Sequence, residues 1–183
     1  MPQHANANRI RLATAADINA VEAIYDEIHD AEESGAATIG WVRGVYPVRA
    51  TAEAALGRGD LYVEEDAEGN VAATAIINGT QVPEYADASW RHEAADDEVL
   101  VLHTLVVSPS RPRQGLGRAF IGFYEDLARQ LGRPELRIDT NERNARARAM
   151  YAGMGYEEVS IVPCDFNGIP GIQLVCLEKW LGR

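Results

Sequence analysis

Apolar residues recur along this chain with two different periods. From Ile18 they return every three or four residues, at Val21, Ile24, Tyr25 and Ile28, which gives a helix one apolar face. Asn8 to Ala13 predicts a short strand before it; Thr14 or Asp17 can cap the helix, which ends near Ser34-Gly35. Thr51 to Gly57 is a second, shorter helix. Asp60 to Glu65 and Val71 to Asn78 read as strands of an antiparallel hairpin turning at Asp66 to Asn70. After an acidic connector over residues 80–97, Glu98 to Val107 is a long, largely apolar strand. The helical period then resumes at about Gly115, with Leu116, Phe120, Tyr124, Leu127 and Leu131 on one face and Gly132 at its end. Glu135 to Thr140 is a strand, Ala145 to Gly153 a helix, and Tyr156 to Val162 and Gly171 to Leu177 are closing strands. Antiparallel pairs combined with one strand–helix–strand crossover predict a mixed α/β fold, here one domain over residues 1–183.

Composition narrows the function classes. A net charge of −11 argues against a general nucleic-acid binder, since phosphate backbones need a basic face. No stretch approaches a membrane span and the N-terminus has no apolar leader, so a cytoplasmic protein without membrane attachment is expected. Cys164 and Cys176 form no disulfide framework and have no metal-ligand spacing; no metal is expected. Positive charge is nevertheless concentrated, in Arg111, Arg113 and Arg118 and again in Arg143, Arg146 and Arg148. Two such clusters suit an anion held between them.

The first cluster surrounds a glycine turn at the start of a helix. Gly115 and Gly117 let backbone approach a ligand and leave amide N–H groups pointing at it, while the helix dipole adds about half a positive charge. Strand, glycine turn and helix N-terminus together make a seat for phosphate oxygens. No GxxxxGK[ST] occurs, so it is not a P-loop, and it is a poor dinucleotide fingerprint.

The segment LVVSPSRPRQGLGRAFI resembles the acetyl-CoA-binding motif of the GNAT superfamily of N-acetyltransferases, L-x-V-x-P followed by [RQ]-x-x-G-x-[GA]. A second segment, NARARAMYAGMGY, is similar to that family's N-x-x-A-x-x-x-Y-x-x-x-G-[FY] through Asn144, Ala147, Tyr151, Gly155 and Tyr156. Pro112 departs from the pattern, standing where the family has Arg or Gln and offering no N–H; Arg111 and Arg113 flank it as compensating cations.

The resemblance implies the family's mixed, mostly antiparallel sheet flanked by helices, acetyl-CoA as cosubstrate, and direct transfer to a primary amine of a small molecule or peptide. It implies cofactor contacts from Leu105, Val106 and Val107 along the strand, from Arg113, Gln114, Gly115, Leu116, Gly117 and Arg118 at the seat, and from Asn144, which also suits a helix N-cap. Tyr151 matches the family tyrosine beside the CoA sulfur and is the expected general acid. The base stays open: His103 interrupts the apolar strand and shares parity with Leu105 and Val107, Glu98 stands beside Asp96 and Asp97, and many relatives relay the proton through water. The acceptor pocket is expected over residues 36–50, 80–97 and 163–171, with Trp41, Arg43, Tyr46, Trp90, Tyr85 and Phe166 as candidates. Acidic residues there favour a cationic amine, whereas Arg43 would suit a carboxylate. A sensor that binds acetyl-CoA without turnover, or an unrelated α/β domain with a structural glycine turn, are the competing readings. Many relatives pair as dimers, and the exposed strands and helices are compatible with a homodimer.

Overall fold

The computed structural model describes residues 9–182, so Asn8 of the expected first strand lies outside the described residues. Seven strands form one sheet: β1 (Arg9–Leu12), β2 (Leu61–Glu65), β3 (Val71–Asn78), β4 (Val99–Val107), β5 (Glu135–Asn141), β6 (Glu157–Phe166) and β7 (Ile169–Trp180). Their order is β1-β2-β3-β4-β5-β7-β6, antiparallel except for the pair β4/β5. The helices are α1 (Ile18–Glu33), α2 (Arg49–Arg58), α3 (Leu116–Leu131) and α4 (Ala145–Ala152). The expected mixed α/β architecture is observed. Among the described residues no helix is long and apolar enough to cross a membrane.

Each face of the sheet buries a different set. On one, Phe120, Ile121 and Tyr124 of α3 pack on Leu100, Leu102, Leu136 and Ile138, with Tyr151 of α4 in the same cluster. The Tyr124 hydroxyl donates to the carbonyls of Leu100 and Arg137, satisfying a buried polar group across the crossover. On the other face, the apolar stripe of α1 covers Leu61, Val63, Ile76 and Val106, and the 80–98 connector covers Val99, Val101 and Cys176 through Tyr85 and Trp90. Burial on both faces explains why β3 and β4 read as apolar runs.

Several expectations shift. Leu131, assigned to the apolar face of α3, is 55% exposed, because Gly132 caps the helix in the left-handed conformation just beyond it. The last hairpin is longer than predicted: Asn167 and Gly168, at φ 51° and 77°, make a tight turn, so β6 and β7 run almost to each other. Pro163 fits because β6 is an edge strand. Both cysteines are free, Cys176 buried and Cys164 half-buried.

A break in β4 positions the site. Thr104 and Leu105 together oppose Ala75, between the pairs His103↔Ile76 and Val106↔Thr74, and Thr104 takes φ 52°. The bulge reverses side-chain parity along the strand. His103 therefore faces the α1 side with Val99 and Val101, while Leu105 and Val107 join the α3 side, which corrects their expected shared parity. Pairing of β4 with β5 also ends at Leu102↔Ile138 although both strands continue. Beyond that point the sheet is open.

Candidate active site

A cavity of about 1030 Å³ occupies the gap between β4 and β5 and reaches both faces of the sheet. At one end lies the N-terminus of α3. Its N-cap is Gly115, at φ 77°, and no side chain caps the helix, so the first-turn N–H groups stay open to the cavity. Arg113, at φ 62°, turns the preceding backbone through a region that favours glycine, a strain of the kind that clusters at ligand clamps. A Cβ on Gly117 would stand 3.1 Å from Met150 Sδ and 3.6 Å from Val107 Cγ2, so any larger residue there crowds Met150 at the cavity wall. Ser108 N–H bonds the Ala72 carbonyl, and strand alternation then turns the N–H and C=O of Val107 toward the gap.

The two arginine clusters divide sharply. Arg111 is tied to Asp66 Oδ2 at 3.1 Å and to the Val71 carbonyl at 2.8 Å, so it does not stand free to compensate for Pro112. Arg148 pairs with Glu158 at 2.7 Å, and Arg143 approaches Glu32 at 4.0 Å. Arg113, Arg118 and Arg146 all line the cavity and make no ion pair among the described residues. Asn144 does cap α4, accepting from Ala147 N–H at 3.2 Å, and its amide donates to Thr140 Oγ1 while facing the cavity.

Tyr151 reaches the gap from the α3 side. Burial, with Asp139 adding negative charge, pushes its phenol well above the usual tyrosine range, so it stays protonated. Its hydroxyl makes no hydrogen bond among the described residues.

Facing it from the other side is Asp139, which the sequence reading passed over. It lies one residue past the last β4–β5 pair and lines the cavity. Burial pushes its carboxyl up to about 6, against the pull of the Tyr85 hydroxyl, which donates to Oδ2 at 2.7 Å. The available signal was an acid directly after Ile138 within a predicted strand, blurred because Glu135 and Arg137 also interrupt that strand. His103 also lines the cavity. Its Nε2 lies 3.1 Å from the Thr80 carbonyl, which can only accept, so Nε2 carries the proton and Nδ1 the lone pair. Burial pushes this imidazole down to about 4.

Glu98 sits elsewhere. It closes a 3-10 turn before β4, accepting from Ala95 N–H at 3.1 Å, at the strand end opposite the cavity. Among the acceptor candidates, Trp41, Tyr46 and Phe166 line the cavity, with Trp41 and Tyr46 edge to face at 6.0 Å and the Tyr46 hydroxyl bonded to Thr104 Oγ1. Glu32 holds their loop by accepting from the N–H groups of Ile39 and Gly40, at 2.6 and 3.0 Å. Arg43 points away, paired with Asp26, Asp30 and Glu33 of α1. Trp90 is a packing residue: its indole N–H bonds the Tyr85 carbonyl and its ring carries Arg137 at 4.1 Å.

A search among curated proteins finds no match to the chain. Solved structures share the fold. A GNAT-family acetyltransferase from Streptococcus agalactiae superposes with a TM-score of 0.78 at 22% identity, covering 97% of this chain and 98% of its own. A Salmonella typhimurium protein solved with its cofactor acetyl-CoA gives 0.65 at 23%, covering 97% and 96%. The ribosomal-protein-S18-alanine N-acetyltransferase of Escherichia coli gives 0.66 at 19%, covering 96% and 95%. The family model described as Acetyltransferase (GNAT) family matches residues 21–156, from α1 through the glycine turn to the end of the Tyr151 motif, and the chain belongs to that family.

Proposed function

We propose that the protein transfers the acetyl group of acetyl-CoA to a primary amine of a small molecule or peptide, by direct attack within a ternary complex. The observation that carries this reading is one continuous cavity, which joins the open N-terminus of α3 to a gap flanked by Asp139 on one face of the sheet and Tyr151 on the other. The residues fit the cosubstrate: open helix N–H groups and three unpaired arginines suit its phosphates, and the Val107 backbone suits the amides of its arm. When bound, acetyl-CoA supplies an activated thioester carbon.

The protein's own groups then manage charge and protons. An acceptor amine enters from the α1 side, past Trp41, Tyr46 and Phe166. An alkylammonium with a pKa of about 10.4 must lose a proton to form the C–N bond. Asp139 lines the cavity with its Oδ2 held by Tyr85, and its pKa of about 6 keeps it ionised at neutral pH while leaving it a stronger base than His103. Backbone N–H groups of β4 at the gap, other than that of Val107, can stabilise the negative charge that develops on the carbonyl oxygen. As the C–S bond breaks, Tyr151 on the far side gives its proton to the departing sulfur.

Calorimetric titration of the purified protein with acetyl-CoA, followed by a thiol-release screen against pooled amines, tests the proposal. One-to-one binding with amine-dependent thiol release is the expected result. Binding without release from any amine would favour a sensor, and no binding would remove the seat altogether.

A further inference from the structure

At the end of β5 opposite the cavity, the connector lays His92 against two buried carboxylates, Glu135 of β5 and Glu178 of β7. His92 Nδ1 is 3.2 Å from Glu178 Oε1 and 3.9 Å from Glu135 Oε2, and one ligand atom from each residue lies within 4.8 Å of the other two. The side chains of Glu135 and Glu178 are 0% and 2% exposed. Buried carboxylate oxygens are normally filled with donors. Both Glu178 oxygens accept from Arg91 N–H, at 3.0 and 3.1 Å, and Glu135 Oε1 takes Arg137 Nε at 3.3 Å. Glu135 Oε2, fully buried and turned to His92, meets no hydrogen-bond donor among the described residues.

We propose that His92 Nδ1, Glu135 Oε2 and Glu178 Oε1 bind one divalent transition cation of the zinc class. One imidazole nitrogen with two carboxylate oxygens is a borderline donor set, which suits Zn2+ better than Mg2+ or Ca2+, ions that prefer all-oxygen shells. Donors about 2.0–2.2 Å from a tetrahedral ion stand about 3.4 Å apart. The separations of 3.2 and 3.9 Å bracket that value. His92 is 42% exposed on its side chain, so water reaches the fourth position.

The supporting shell is in place. Arg137 and the Arg91 N–H occupy the outer lone pairs of the two carboxylates, and His92 stacks on Trp180 at 5.2 Å with 10° between the rings. Glu135 and Glu178 share one guanidinium, and a bound cation would displace the proton that such a buried carboxyl pair otherwise holds between its members. None of the three ligands lines the cavity, so the ion is structural. It clasps the connector to β5 and β7, and that connector also carries Tyr85, the partner of Asp139. Spacing along the sequence hides the site, because its members come from three separate elements.

A proton shared between Glu135 and Glu178 would relieve the same repulsion, and the experiment separates the two. The full chain, freed of metal by chelation, is titrated calorimetrically with Zn2+ and with Mg2+ at neutral pH, beside His92→Ala and Glu135→Gln. The expected result is one Zn2+ per chain, no comparable Mg2+ isotherm, and affinity at least about 10-fold weaker in both variants. Thermal scans at Zn2+ about 100-fold above Kd should raise the wild-type Tm by about 5–10 °C and leave the variants unmoved. Identical Zn2+ isotherms in wild type and variants would overturn the proposal, since exposed carboxylates would then account for binding. So would the absence of Zn2+ binding to the wild type. If His92→Ala does not fold, the nearly isosteric Glu135→Gln decides alone.

Discussion

At neutral pH both Asp139 and His103 offer the cavity a lone pair, yet they differ as bases. Burial acts on them in opposite directions, because it penalises the charged form: it raises the carboxyl to about 6 and lowers the imidazole to about 4. If Asp139 is the base, the rate rises with pH through about 6 as the carboxyl loses its proton, and Asp139→Asn removes that limb. Its kcat/KM should fall by about 100-fold. A pH–rate profile of both proteins checks this: a limb near 6 that persists in the variant moves the base elsewhere, and one near 4 identifies His103. Tyr151→Phe should lower kcat by about 100-fold with acetyl-CoA affinity unchanged, because the phenol acts on the departing sulfur. Burst or single-turnover kinetics beside calorimetry would read the two quantities separately, and an unchanged kcat would take the acid role from Tyr151. The residue types at positions 103 and 151 were legible in the sequence. The partner of Tyr151 across the gap was not, since Asp139 becomes its counterpart only where two strands part.

Elements were legible where their signal is local. The 3.6-residue stripe of α1, the hairpin of β2 and β3, and the glycine turn opening α3 each lie within one continuous segment, and each forms as expected. The Asn167-Gly168 turn was equally local but went unread, which shortened β6 and β7 and made a loop of what is mostly strand. The bulge at Thr104–Leu105 is different in kind, because it is set by how β4 pairs with β3, and it puts Leu105 and Val107 on the face opposite His103. Gly117 tests the α3 element. Gly117→Trp puts an indole where Met150 Sδ and Val107 Cγ2 already approach within 3.1 and 3.6 Å of a Cβ, so it should abolish acetyl-CoA binding by calorimetry. The side chain projects into the cavity, so circular dichroism should remain unchanged. Retained affinity would mean that the phosphates bind elsewhere.

In a chain of net charge −11, Arg113, Arg118 and Arg146 at the cavity make no ion pair among the described residues, while others are neutralised by nearby acids. Such a field attracts an anion only at short range, because the surrounding acids repel it farther out. Replacing Arg113, Arg118 and Arg146 together by alanine should weaken acetyl-CoA at least about 10-fold. Added salt should weaken the wild type's affinity and leave the triple variant's nearly constant, a comparison made by titration at several ionic strengths. Equal salt slopes would assign the phosphates to backbone contacts only. Sequence by itself determined the order and type of most elements, the glycine turn that opens α3, the acid candidate and the family resemblance, because each depends on residues close together in the chain. Tertiary structure decided which arginines stay out of ion pairs among the described residues, which face Leu105 and Val107 take relative to His103, that Asp139 and Tyr151 line one cavity, and that His92 meets Glu135 and Glu178. These depend on strand register and on contacts between distant segments, and no local period encodes either.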